Sequence, residues 1–517
     1  MAHLHRLRAA RLVLGLLAVS LATLTTPARA DDISATARGV VRVVTIAIVD
    51  DEVVGFGHGS GFAVAPNRIV TNAHVVELLA RYPGNVVIGI VPSEGSKSYQ
   101  GKVIALDTVH DLALIEFSGK PIPTVALYTG PVEEGGMVTA LGYPGNVDLA
   151  TAKSAADYIH PLSPIRSEGV FSGRRQLSGT AVMLHTAQIA RGNSGGPLLD
   201  RCGRVIGVNS AITRGEDGDS SFGFAIADSE LTAFLIKANQ PYASVGTPCV
   251  SIADVDRVDA QAEAKASALA DSAKRDAAGK AVLAHEVALV AARDAADRHR
   301  ENVMAIATVL LVLGAMAIGA GGLLEAQALR GAAIWAWAIG ALVIAGAVVT
   351  FVLRPTGIPA PATAAASVDA PAVAMSSTAP LGKLACHFVP ERSRVVSSST
   401  VDTLIDWGSA GCMNGRTQYA ENGSKWDRIL VPAEEQTVSV LQFDPAARSY
   451  VTTRYFLGAD EMDSVRKIRS QVTLKACSLD EAGRANLASQ QAAIRASLPG
   501  QPNEKIVYSC APAPSGG

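Results

Sequence analysis

Ser194 stands in GNSGGPL (Gly192–Leu198), a hydroxyl set among glycines. Alone, such a run is an ordinary turn, because Gly, Asn and Ser all tolerate unusual backbone angles. A serine that attacks acyl groups needs a base to take its proton, a carboxylate to orient that base, and N–H donors for the oxyanion. The chain offers a candidate for each. His74 lies in TNAHVV, directly after the apolar run RIV, where a loop or short helix can project an imidazole toward a cleft. Asp111 opens DLALIEF, so apolar residues stand behind its carboxylate to exclude water. Gly192 and Ser194 can point their backbone N–H groups inward, and Gly195 and Gly196 leave room for a substrate to approach. Each residue has a bland reading too: an ordinary histidine, a charge at a strand edge with Asp107 as a rival four positions earlier, and a turn serine. The three motifs together, in this order, favour the catalytic reading.

The elements that must position these groups are legible as short apolar runs separated by Gly, Pro and Asn between about residues 36 and 238, among them GVVRVVTIAIV, GSGFAVA, NVVIGIV, KVIALD, MVTALGYP, RVIGVNSAI and FGFAIA. Many short strands of this kind indicate an all-β barrel or sandwich. ADSELTAFLIKAN reads as a closing helix, capped by Asp228 or Ser229, with Leu231, Phe234 and Leu235 on one apolar stripe.

The motifs TNAHVV, DLAL and GNSGGPL resemble those of the chymotrypsin-fold serine proteases, and specifically their HtrA (Deg) branch. GSGFAVAPNRIVTNAHVV, ALGYPG, GVNSAI and FGFAIA add to the likeness, which covers about residues 41–238. The resemblance implies an all-β double β-barrel and an acyl-enzyme mechanism: Ser194 as nucleophile, His74 as base, Asp111 as its orienting acid, and the Gly192 and Ser194 N–H groups as the oxyanion hole. No metal or organic cofactor is called for. It also places Gln188, six residues before the nucleophile, at the floor of the specificity pocket, with Gly207, Ala211 and Gly223 as small neighbours. A neutral floor and small walls predict cleavage after small or medium aliphatic residues. Asn193 cannot form the salt bridge by which digestive trypsins use a newly cut N-terminus, so activation by loop ordering is expected instead. The chain departs from the branch in having no recognisable PDZ domain after the protease.

At 517 residues the chain needs more than one core. Its net charge of -2 gives no general attraction for nucleic acid, and nucleic-acid partners are not expected. Hydrophobic residues reach 49% with only 5% aromatics, the composition of Ala-, Val- and Leu-rich helical and membrane-spanning segments. Residues 1–30 carry Arg6, Arg8 and Arg11, then an apolar run, then Ala28-Arg29-Ala30, the layout of a secretory signal peptide. Residues 302–324 and 331–353 are two uncharged apolar runs, each long enough to span a bilayer, joined by a connection short enough to force an antiparallel transmembrane hairpin. Arg298, Arg300 and Arg354 would by themselves favour the opposite orientation. The export signal outweighs them here, because Asp294, Asp297 and Glu301 are interleaved with those arginines.

The expected layout is therefore a signal peptide (1–30), a trypsin-like protease domain (31–245), an Ala-rich helical stalk (246–301), the hairpin (302–353), a Pro/Ala-rich linker (354–382) and a small α+β domain of unknown role (383–517). The bilayer and protein or peptide substrates are the expected partners, and the cytoplasmic membrane, with both folded parts extracytoplasmic (periplasmic), is the expected location. Six cysteines, two before the hairpin and four after it, fit disulfides. Cys202 with Cys249 is one expected pair, whereas the later four allow three pairings. None has the spacing of a zinc site. The competing function is a catalytically silent, protease-like sensor or peptide-binding protein of the cell envelope. A third reading keeps the acyl chemistry but acts on small esters.

Overall fold

The computed structural model describes residues 31–213, 221–353 and 380–514. The expected signal peptide (1–30) and most of the expected linker (354–382) lie outside these residues. The chain forms two compact units, residues 1–260 with 375–517, and residues 261–374.

In the first unit, a short helix α1 (Asp32–Ala37) precedes β1 (Val40–Val49), β2 (Glu52–Ala65), β3 (Arg68–Thr71), β4 (Val86–Pro92), β5 (Tyr99–Asp107) and β6 (Leu112–Phe117). These six close into a barrel in the order β1-β2-β3-β6-β5-β4. The second group is β7 (Leu127–Tyr128), β8 (Met137–Gly142), β9 (Ile165–Leu177), β10 (Thr180–His185), β11 (Pro197–Leu199), β12 (Val205–Ile212), β13 (Gly223–Ala227) and β14 (Ser244–Val245). Its order is β11-β8-β9-β10-β13-β12-β7-β14, and an added β11–β12 pairing closes the first six into another barrel. Closure removes the strand edges that open sheets leave exposed.

The sequence of β1, VVRVVTIAIV, is rich in β-branched residues, and seven of its ten residues are buried. Val41 and Val43 fill the first barrel, while Val40 joins a cluster with Leu127, Leu199, Val208 and Leu231 of the second. That shared cluster fixes the two barrels against each other. Truncating the fully buried Leu199 to Ala should cost about 2–5 kcal/mol. Between β8 and β9 lies a short helix, α2 (Gly145–Thr151), and after β13 comes α3 (Asp228–Lys237). Leu231, Phe234 and Leu235 of α3 are buried, as its apolar stripe predicts. The cap differs from expectation: Ala227 occupies the N-cap without a side-chain bond, and Asp228 pairs instead with Arg174 at 3.0 Å.

The C-terminal part is a nine-stranded antiparallel sheet with two helices, Ala459–Ser470 and Glu481–Ala496. Trp407, Trp426, Phe443 and Tyr419 pack edge-on or tilted in its core. Disulfides join Cys386 to Cys510 and Cys412 to Cys477, and Cys202 is bonded to Cys249.

The sequence pattern suggests a domain standing apart, but this sheet packs on the barrels within the same compact unit. Ala126 and Val245 belong to its apolar core. Arg394 pairs with Asp32 of α1 and donates through Nε to the Val250 carbonyl at 2.8 Å, and Asn503 Nδ2 donates to Asp32 at 2.9 Å. The physical reason is burial: Asp32 and Arg394 are both removed from solvent, and a buried charge persists only with a partner.

Two apolar helices belong to the second unit, α4 (Ile252–Ala326), which begins in the first unit, and α5 (Arg330–Val352). Windows within them have mean hydropathies of 2.5 and 2.2, and both helices are long enough to cross a membrane. The expected stalk and first span are one uninterrupted 75-residue helix, because no proline or cap interrupts the chain near residue 301. Gly314 and Gly340 let the two backbones touch: a Cβ on Gly340 would lie 2.7 Å from Ile318 and 2.9 Å from the Gly314 carbonyl.

Candidate active site

A cleft of about 910 Å³ runs along the seam of the two barrels. His74 and Ser194 both line it, from opposite sides. His74 sits in a single 3₁₀ turn (Ala73–Val76) directly after β3, and Asp111 lies in the turn between β5 and β6. Asp111 has a φ of 54°, a left-handed conformation that Asp adopts more readily than most residues. There its carboxylate receives three donors: the His74 backbone N–H at 3.0 Å, His74 Nδ1 at 2.9 Å and the Ser210 hydroxyl at 2.7 Å. Burial alone would raise the Asp111 pKa. The hydrogen bonds and charge of His74, with the Ser210 hydroxyl, outweigh it and hold the carboxyl below its usual range. Asn72 braces the turn by donating to the Asp111 carbonyl at 2.9 Å.

Asp107 does not reach this group. Its carboxylate accepts from the Val109 and His110 backbone N–H groups and lies 3.0 Å from His110 Nδ1.

Ser194 Oγ donates to the Ser210 carbonyl at 3.0 Å, so the hydroxyl is engaged with β12. Gly192 and Gly195 have φ of 97° and 86°, which a side chain would oppose, and the turn they form is pinned on both sides. Ser60 Oγ donates to the Gly192 carbonyl at 2.6 Å, and the Ser60 N–H donates to the Ser194 carbonyl at 2.8 Å. The Gly195 N–H donates to the Asn209 carbonyl at 2.7 Å. Among the described residues, neither the Gly192 N–H nor the Ser194 N–H has an acceptor. Two unpaired donors beside a serine hydroxyl are what a developing oxyanion requires.

Of the expected pocket residues, Ala211 lines the cleft, together with Ile189, Ala190 and Ile212. Gln188 is exposed and lies outside the lining. Gly207 and Gly223 are buried in β12 and β13, where Gly207 packs on Ala225 and Gly223 on the His185 ring. Among the described residues, the only acidic one lining the first-barrel side is Glu77, paired with Arg81 at 3.0 Å. Ser210 was not singled out from the sequence. Its signal, a serine in GVNSAI, gains meaning only from the β12 register that sets it between Asp111 and Ser194.

Comparison with known proteins places a peptidase domain over this site. Residues 59–208 match the model for the trypsin-like peptidase domain. This chain carries a trypsin-like peptidase domain. Its peptidase region is similar to serine protease Rv3671c of Mycobacterium tuberculosis, 30% identical over 42% of this chain and 51% of that protein. It is also similar to the putative serine protease HhoB of Synechocystis, at 35% over 33% of this chain and 37% of that one. A probable periplasmic serine endoprotease, DegP-like, of Chlamydia pneumoniae is 35% identical over 32% and 31% of the two chains. The chain thus spans about half the length, or less, of these curated relatives. The crystal structure of the active form of the Rv3671c protease aligns with 23% identity and a TM-score of 0.32, over 43% of this chain and 91% of that one.

Proposed function

We propose that this protein is a membrane-anchored, extracytoplasmic serine endopeptidase acting in protein quality control or regulated proteolysis. The observation that carries the reading is the Asp111 carboxylate gripping His74 at a cleft where Ser194 lies beside two unpaired N–H donors. In the proposed reaction the Ser194 hydroxyl leaves the Ser210 carbonyl, rotates about χ1 and gives its proton to His74 Nε2 as Oγ attacks a peptide carbonyl. Asp111 stabilises the imidazolium, and the Gly192 and Ser194 N–H groups hold the oxyanion. Loss of one such donor costs about 3 kcal/mol of transition-state stabilisation. His74 then protonates the leaving amine, and water releases the acyl-enzyme.

Ile189, Ala211 and Ile212 on the second-barrel wall support cleavage after small or medium aliphatic residues. Sequencing of products should find aliphatic residues before the cut, and predominant cleavage after Lys or Arg would refute this. Anchoring rests on α4 and α5. The contact between Asp32 and Arg394, on either side of the hairpin in sequence, supports one shared side of the membrane for both folded parts. A fluorophosphonate should label the wild type but not Ser194→Ala. Equal labelling of both would remove the nucleophile, and labelling of neither would favour the silent sensor.

A further inference from the structure

The oxyanion turn rests on a buried polar cluster that the proposed chemistry does not use. Arg42 of β1, His58 of β2 and Asp148 of α2 meet beneath Gly192, from both barrels. Arg42 Nη2 lies 2.6 Å from Asp148 Oδ1, with both side chains almost wholly buried. The other carboxylate oxygen is 3.2 Å from His58 Nε2. Arg42 also donates to the carbonyls of Asp157 and Tyr158, at 3.2 and 3.3 Å, and the Tyr158 ring meets the His58 ring edge-on at 5.3 Å. Arg42 is thus bonded on three sides, while His58 Nε2 and Asp148 Oδ2 face each other buried, at ion-pair distance and without a hydrogen bond.

Its connection to the active site runs through Gly145, the first residue of α2. The Gly145 N–H donates to the Arg191 carbonyl at 2.7 Å. A trans peptide is planar, with its C=O and N–H pointing opposite ways. Fixing the Arg191 carbonyl against α2 therefore aims the Gly192 N–H away from α2, on the cleft side. His58 forms part of the floor under this peptide: a Cβ on Gly192 would sit 2.9 Å from both His58 Nε2 and the Gly145 nitrogen, and one on Gly145 would sit 3.3 Å from His58 Cε1. If α2 shifted, the Arg191–Gly192 peptide could turn over, and a carbonyl would take the donor's place.

We propose that His58 and Asp148 are positioning residues for the oxyanion donor, holding α2 against the Arg191 carbonyl so that the Gly192 N–H faces the cleft. The inference rests on the reading of Ser194 as nucleophile. It makes the first barrel, through Arg42 and His58, responsible for the direction of a donor that belongs to the second.

The test uses the full chain and a quenched peptide with an aliphatic residue before the scissile bond. His58→Leu should lower kcat by roughly tenfold or more with KM nearly unchanged, a partial form of losing one oxyanion donor. Affinity for a peptide boronate, which forms the tetrahedral anion, should fall by the same factor. Affinity for the matching reduced-amide peptide, which has no carbonyl, should not move. His58→Gln keeps an N–H for Asp148 and should recover most of the loss. An unchanged kcat, or a loss confined to KM, overturns the proposal. Should His58→Leu fail to fold, Asp148→Asn is held to the same criteria, and unfolding of both assigns the cluster to stability alone and overturns it as well. Ser194→Ala separates the two levels: an active Ser194→Ala refutes the site itself, whereas an inert Ser194→Ala beside a fully active His58→Leu refutes only the positioning role.

Discussion

The glycine-rich turn at residues 192–194 and the loop at residues 200–204, on either side of the short strand β11, treat their polar groups in opposite ways. In the first, the Gly192 and Ser194 N–H groups have no acceptor among the described residues. In the second, Asp200 takes hydrogen bonds from the Cys202 and Arg204 backbone N–H groups and from Arg204 Nε and Nη2. Arg204 goes on to the Thr247 and Val395 carbonyls and lies 4.1 Å over the Tyr128 ring. Donors are left open where the proposed reaction brings substrate charge, and saturated where the C-terminal sheet docks. Reactivity and cohesion are thus kept apart within a dozen residues.

The largest expected effect tests the open side. Asp111→Asn should lower kcat on the quenched peptide by about 10⁴-fold, because the amide favours the wrong His74 tautomer while leaving the fold intact. The saturated side is tested by Arg204→Met, which strands the mostly buried Asp200 carboxylate. Stability in urea melts should drop by about 3–5 kcal/mol, while kcat of the folded fraction is retained. If kcat falls instead, the separation between the two loops is wrong.

A third outcome concerns His185, fully buried in β10 with neither ring nitrogen in good hydrogen-bond geometry. Burial pushes its pKa down from 6.5 to about 4, only partly offset by the neighbouring Asn209 side chain and the Ala187 backbone. The unfolded chain then binds a proton that the folded one refuses between those values, so stability rises with pH across that window and is lost on acidification. The loss should approach about 3 kcal/mol by pH 4, and His185→Gln should flatten that part of the profile. Least of all, Ser210→Ala removes one charge-assisted bond to Asp111 and should cost about 1.5–3 kcal/mol in kcat/KM. An effect equal to that of Asp111→Asn would make Ser210 a full member of the site.

The parts of this molecule that could be read in advance are those whose chemistry is local. His74, Asp111 and Ser194 sit in short motifs, and β-branched runs such as β1 announce barrel strands. Ser210 could not be read that way, since its role depends on a strand register. Nor could Arg42, His58 and Asp148, which converge from three elements without a shared motif. Arg394 and Asp32 are 362 positions apart, and no local pattern joins an arginine late in the chain to an acid near residue 30. The pocket is legible only in part: Ala211 lines the cleft, whereas Gln188, expected there from its spacing along the chain, is exposed outside the lining.

The C-terminal sheet has one further consequence. Its last strand in sequence, Glu504–Pro512, lies between Gly382–Phe388 and Ser449–Phe456 rather than at an edge. A ribosome delivers the two flanking strands first and the one that zips them together more than a hundred residues after the earlier of them. Both flanks therefore wait with open ladders, and pairing of such distant segments is slow. Asn503, which bonds Asp32 of α1, sits directly before that strand. The clasp between the barrels and the sheet is accordingly among the last parts of the molecule to close, well after the peptidase barrels have been synthesised.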